Sequence, residues 1–109
     1  MDIGFVASGR ADEALRRAAR LGLDGIELNF IWGTEADLER WTDEDTQRAR
    51  AAVAETGARI LSIGTGWANH LAPDAAARER AMANMRRAIE VAPQLGTHIV
   101  VCNAFGDPA

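Results

Sequence analysis

Glu27 is the residue of this 109-residue chain most able to do chemistry, because it interrupts an apolar, strand-like run, Gly25-Ile26-Glu27-Leu28-Asn29. A carboxylate withdrawn from water is costly unless it is paired or used. Two readings follow: a ligand contact or charged anchor inside a barrel, or a structural bond to a neighbouring strand. Two residues on, Asn29 offers a carboxamide at the strand tip, and Asn103 offers another at the end of the last apolar run. Asparagine bonds polar ligands well, and it is also common where strands turn into loops. The stretch Gly64-Thr65-Gly66-Trp67-Ala68-Asn69-His70-Leu71-Ala72-Pro73-Asp74 mixes glycine, an aromatic and a histidine. Trp67 suits either a stacking platform for a sugar ring or a cap on a barrel mouth, and Trp32 has the same two readings. His70 suits a polar ligand group or a plain surface position.

Other reactive types read as structural. Trp41 precedes a helix N-cap and reads as packing, His98 begins a strand on the far face, and Cys102 reads as a small buried hydrophobe. Gly64-Thr65-Gly66 lacks the third glycine of a dinucleotide fingerprint and is not followed directly by a helix. Neither HxxxH nor HxH spacing, a carboxylate cluster nor a Cys/His set suggests a metal site. No serine or cysteine nucleophile stands with a base, so no catalytic residue is assigned.

The elements that must hold these residues repeat. Apolar runs at 2–7, 25–30, 59–64 and 98–103 read as strands, separated by three segments of helical period. Each helix ends in a glycine, Gly22, Gly57 or Gly96, where the left-handed conformation closes a helix without a Cβ clash. The first helix carries Ala14, Leu15, Ala18, Ala19 and Leu21 on its apolar stripe. The second starts at Thr42 as N-cap, with Asp43, Glu44 and Asp45 in its first turn and Ala49, Ala52 and Val53 inward. The third starts near Asp74 with Met82, Met85, Ile89 and Ala92 as its stripe, and Pro93 should kink or shorten its last turn.

Strands joined through whole helices pair in parallel by right-handed crossovers. Aligning the helix-ending glycines puts Ile26, Leu61 and Val100, then Leu28, Ile63 and Cys102, toward the helices. The other phase holds Glu27, Ser62 and Val101, then Asn29, Gly64 and Asn103. Side chains alternate across a strand, so the polar ones converge near the C-terminal strand ends, where α/β folds bind ligands. The fold expected is a β-α-β-α-β-α-β parallel half of a (β/α)8, or TIM, barrel: its first four strands. The competing architecture is an open, doubly wound sheet with helices on both faces.

Composition sets outer limits. With 48% hydrophobic and 26% charged residues the chain reads as globular. No apolar stretch approaches the ~20 residues of a membrane span, and no secretory leader is evident. One cysteine cannot form an internal disulfide, which favours a cytoplasmic location. A net charge of −4 argues against a general nucleic-acid binder.

These residues resemble the xylose isomerase-like (β/α)8 barrels, in particular the sugar phosphate isomerase/epimerase branch. The resemblance rests on Ile3-Gly4-Phe5, on Leu21-Gly22-Leu23-Asp24-Gly25-Ile26-Glu27-Leu28-Asn29, on Pro73-Asp74, and on Arg78-Glu79-Arg80-Ala81 through Leu95-Gly96. It covers the chain but only the N-terminal half of the family's barrel. It implies metal-assisted proton transfer beside a carbonyl, in an aldose–ketose isomerase or ketose epimerase. It also implies that the divalent metal's ligands and the acid/base glutamates come from strands five to eight, outside this chain. The half present would supply the wall of a pocket for a sugar or sugar phosphate, with Glu27, Asn29, Trp67, His70 and Asn103 as binding residues.

A barrel needs about 250 residues, so residues 1–109 are expected to be one half-barrel, a fragment of a longer domain that is inactive alone. Its missing C-terminal half, or a second copy, would cover the strand edges. The alternative is a non-catalytic half-barrel that self-associates and binds a small polar ligand. A sister branch cleaves DNA at abasic sites with zinc and has histidines where Gly64 or Thr65 and Asn103 stand here, which ranks that reading last.

Overall fold

The computed structural model describes residues 1–65 and 71–102. The strands are β1 (Gly4–Ala7), β2 (Gly25–Asn29), β3 (Arg59–Gly64) and β4 (Val100–Val101), and the helices are α1 (Ala11–Arg20), α2 (Asp43–Thr56) and α3 (Ala75–Gln94). All pairs are parallel and the order is β1-β2-β3-β4. Ile26, Leu28, Ile60 and Ile63 join Leu15 and Ala18 of α1, Ala49 and Ala52 of α2, and Ala88 and Val91 of α3 in one core. The helices therefore cover a single face of the sheet. That is half of a TIM barrel and rules out helices on both faces.

Local chemistry explains the helix ends. Thr42 Oγ1 accepts from the Asp45 amide at 3.2 Å while the Asp45 carboxylate accepts from the Thr42 amide at 2.9 Å, a reciprocal capping box. Asp74 accepts from the Ala76 and Ala77 amides at the start of α3. Gly22, Gly57 and Gly96 all have φ between +71° and +85°, as helix-ending glycines should. Pro93 lies one residue before the end of α3, so it removes little of the helix.

Several expectations are corrected. The first strand starts at Gly4 rather than at residue 2, and among the described residues the last spans only Val100–Val101. Leu21 is the exposed C-cap of α1 and has left the apolar stripe. The buried stripe of α3 is Ala81, Asn84, Ala88 and Val91 with Ala92, whereas Met82 and Ile89 are 42% and 58% exposed. The buried stripe is thus offset by one residue from the expected one, with mostly small residues inward and Met82 and Ile89 beside it. Cys102 is exposed, lying just past β4 rather than against the helices.

The register also departs from the glycine alignment. Ile26 pairs with Ile60, not Leu61, and the ladder then shifts so that Glu27 pairs with Ser62, Leu28 with Ile63 and Asn29 with Gly64. Val100 and Val101 pair with Ile63 and Gly64, two residues along from the expected partners. Val101, rather than Asn103, is therefore level with Asn29. Strands of a barrel are staggered, which an alignment of repeats does not reveal.

Candidate functional site

The sheet face turned away from the helices carries the polar residues, arranged in levels. At the lower level Gly4 and Gly25 are paired, and no side chain would fit: a Cβ on Gly25 would stand 1.9 Å from the Arg59 carbonyl oxygen. The Leu61 side chain lies over this floor, 3.1 Å from where a Gly4 Cβ would be. At the middle level Val6, Glu27 and Ser62 are adjacent in register. The Ser62 hydroxyl donates to Glu27 Oε1 at 2.7 Å. At the upper level Asn29 pairs with Gly64, which pairs with Val101.

Glu27 and Asn29 are half-buried and Val6 is 63% exposed, so the face is open. Ser62 donates to one carboxylate oxygen, and among the described residues no donor is directed at Oε2. The Asn29 carboxamide, one level nearer the strand tips, adds both a donor and an acceptor. Successive same-face residues are about 6.6 Å apart along a strand, a span that suits two hydroxyls of one polyol. The structural reading of Glu27, a hydrogen bond to the neighbouring strand, is present in the Ser62 contact, and among the described residues it leaves the second oxygen unspent.

Of the five residues singled out in the sequence, Glu27 and Asn29 come together on this face. Trp67, His70 and Asn103 lie outside the described residues. Trp41 packs as expected: it meets Phe30 edge-on at 5.0 Å and its Nε1 donates to Thr46 Oγ1 at 2.8 Å. Trp32 is partly exposed with the Arg80 guanidinium stacked 4.0 Å from its ring centre, and Glu39 pairs with that same arginine. His98 is exposed and precedes β4.

Sequence reasoning passed over a second polar feature, a groove of about 720 Å³ lined by Arg10, Asp12, Thr34, Glu35, Arg40 and Arg48 among others. It lies outside the sheet's open face, between the start of α1 and the start of α2. Asp12 is buried there and accepts from Arg10 at 3.2 and 2.9 Å and from Arg16 at 3.2 Å. Burial pushes the Asp12 carboxyl up, but the Arg10 and Arg16 hydrogen bonds outweigh it and hold the group below the usual carboxylate range. Its hydrogen bond and charge in turn raise the Arg10 guanidinium. The available signal was an aspartate with arginines two residues before and four after it; mixed helix charges are otherwise read as a solvated surface.

A divalent cation needs several hard donors. Among the described residues no three of His, Cys, Asp and Glu are grouped to hold one, and the open face offers a single carboxylate. The described residues of this half do not by themselves fit a metal centre.

The comparisons with known proteins agree with this architecture. The family model described as Xylose isomerase-like TIM barrel matches residues 15–108, so the chain belongs to that family. No protein of curated function matches the sequence. Among solved structures, the apo 3-keto-D-glucoside 4-epimerase of E. coli is similar with a TM-score of 0.69 and 18% identity, covering 92% of this chain and 36% of that one. Endonuclease IV from Thermus thermophilus is similar with a TM-score of 0.70 and 23% identity, covering 99% of this chain and 42% of that one. The chain thus spans less than half the length of either. No helix among the described residues is long and apolar enough to cross a membrane.

Proposed function

We propose that this chain forms the pocket wall of a sugar or sugar-phosphate isomerase or epimerase, with residues 1–109 as the N-terminal half of a longer barrel domain. The observation that carries the reading is the Glu27–Ser62 pair one level below Asn29, on an open sheet face near the C-terminal strand ends. At the middle and upper levels the paired residues offer acceptors and a carboxamide with no cationic side chain, which suits neutral hydroxyls; Arg59 lies at the foot of β3, where it pairs with Asp2. Within this reading proton transfer and any divalent cation belong to the half beyond this chain, and Trp67, His70 and Asn103 remain candidates for the rest of the wall. The likeness to a 3-keto-D-glucoside 4-epimerase supports a sugar ligand at the level of fold. The likeness to an endonuclease is equally close in fold, but a carboxylate on the face and a net charge of −4 are poorly matched to phosphate backbones.

Saturation-transfer NMR of the purified chain with D-fructose and with D-fructose 6-phosphate tests this reading. Sugar signals that weaken in Glu27→Ala and in Asn29→Ala support it. Absence of transfer from either sugar, or transfer indifferent to both substitutions, rejects it.

A further inference from the structure

The pairing of Glu27 with Ser62 depends on one extra residue in β3. Ile26 pairs with Ile60 and Glu27 pairs with Ser62, so Leu61 is the bulged residue. In a regular ladder Leu61 would stand beside Glu27, and an apolar side chain would replace the hydroxyl. Bulges re-aim side chains in this way, and they release a backbone group from the ladder. Here the Leu61 carbonyl accepts a hydrogen bond from Thr97 Oγ1 at 2.8 Å. Thr97 is 4% exposed, so that carbonyl has little access to water should the hydroxyl be lost.

The same hydroxyl accepts from the Ile99 amide at 3.2 Å, and the Thr97 amide donates to the Ala92 carbonyl at 3.1 Å. One residue thereby joins the end of α3, the bulge of β3 and the approach to β4. Serine or threonine alone meets this requirement at such a size, because the group must donate and accept at once.

We propose that Thr97 is a positioning residue whose hydroxyl locks the Leu61 bulge and so turns Ser62, rather than Leu61, toward Glu27. The functional weight of this assignment rests on the reading of the open face as a ligand site. A threonine that merely fastened a loop would affect melting temperature without affecting which residue opposes Glu27.

The test is cross-strand NOE measurement on the labelled chain. Wild type should show Glu27 contacts to Ser62. In Thr97→Val, nearly the same shape without the hydroxyl, those contacts should be lost and replaced by contacts to the Leu61 methyls, while Thr97→Ser should keep the wild-type pattern. Should Thr97→Val fail to fold, Thr97→Ala compared with Thr97→Ser asks the same question. A folded hydroxyl-free variant that retains the Glu27–Ser62 contacts overturns the proposal, as does a Thr97→Ser variant that loses them. Fructose saturation transfer on the same samples separates the two claims. Altered NOEs with unaltered sugar signals leave the positioning role standing and remove Glu27 from the ligand reading.

Discussion

The Asn29 carboxamide lies over the α-carbon of Gly64, its register partner, so closely that a Cβ on Gly64 would stand 2.7 Å from Asn29 Oδ1. Glycine here makes room for a neighbour's functional group. Gly64→Ala should push the carboxamide out of its position, costing about 1–3 kcal/mol if the backbone must also yield. Fructose saturation transfer should fall as it does in Asn29→Ala. Transfer at the wild-type level would show that the position of the carboxamide does not matter.

Glu27→Ala removes the acceptor of the Ser62 hydroxyl. Because the site is half-buried, the stability loss should be near that of one hydrogen bond, about 1 kcal/mol, read by urea denaturation. In a full-length homologue the same change should also weaken substrate affinity. Unchanged melting together with unchanged kinetics would deny Glu27 any role.

Gly25 faces a backbone rather than a side chain. With 1.9 Å between a would-be Cβ and the Arg59 oxygen, Gly25→Ala must part β2 from β3. The cost should reach or exceed the roughly 1–3 kcal/mol usual for overpacking. Thermal melting within a degree of wild type would mean that the strands separate freely at this level.

Asp12 provides a pH test. Its carboxyl titrates below its unfolded value in the folded chain, so the Arg10 and Arg16 bonds stabilise the fold above that unfolded value. As pH falls from roughly 3.9 through the lower folded value, the unfolded chain binds the proton first and the stabilisation is lost. Asp12→Asn should therefore melt below wild type at pH 7, with the two curves converging in acid. A gap that stays constant from pH 7 to pH 3 would contradict this.

Strand-and-helix alternation and the closing glycines were legible in the sequence because each follows from local rules of period and backbone conformation. The pairing of Glu27 with Ser62 and of Asn29 with Gly64 was legible too, since both lie above the Leu61 bulge, where the glycine alignment holds. Below it the alignment slips by one, because Thr97, distant in sequence, supplies the donor that makes the bulge tolerable. The α3 stripe was misjudged for a different reason. Met82, Met85 and Ile89 have the same period as Ala81, Asn84 and Ala88, and period alone does not say which of two adjacent stripes touches the sheet. The Arg10–Asp12–Arg16 arrangement was hidden because burial of a helix carboxylate depends on the neighbouring α2 and the 30–42 loop.

The strand order has a kinetic consequence. Residues Glu27, Asn29, Ser62 and Gly64 all lie on β2 and β3, the two strands with a hydrogen-bonded neighbour on each side. Amides of β2 and β3, laddered to a neighbour on each side within these four strands, exchange only on an opening that parts more than one strand pair. Polar groups placed on these doubly paired strands keep their mutual geometry through small fluctuations of any one strand pair.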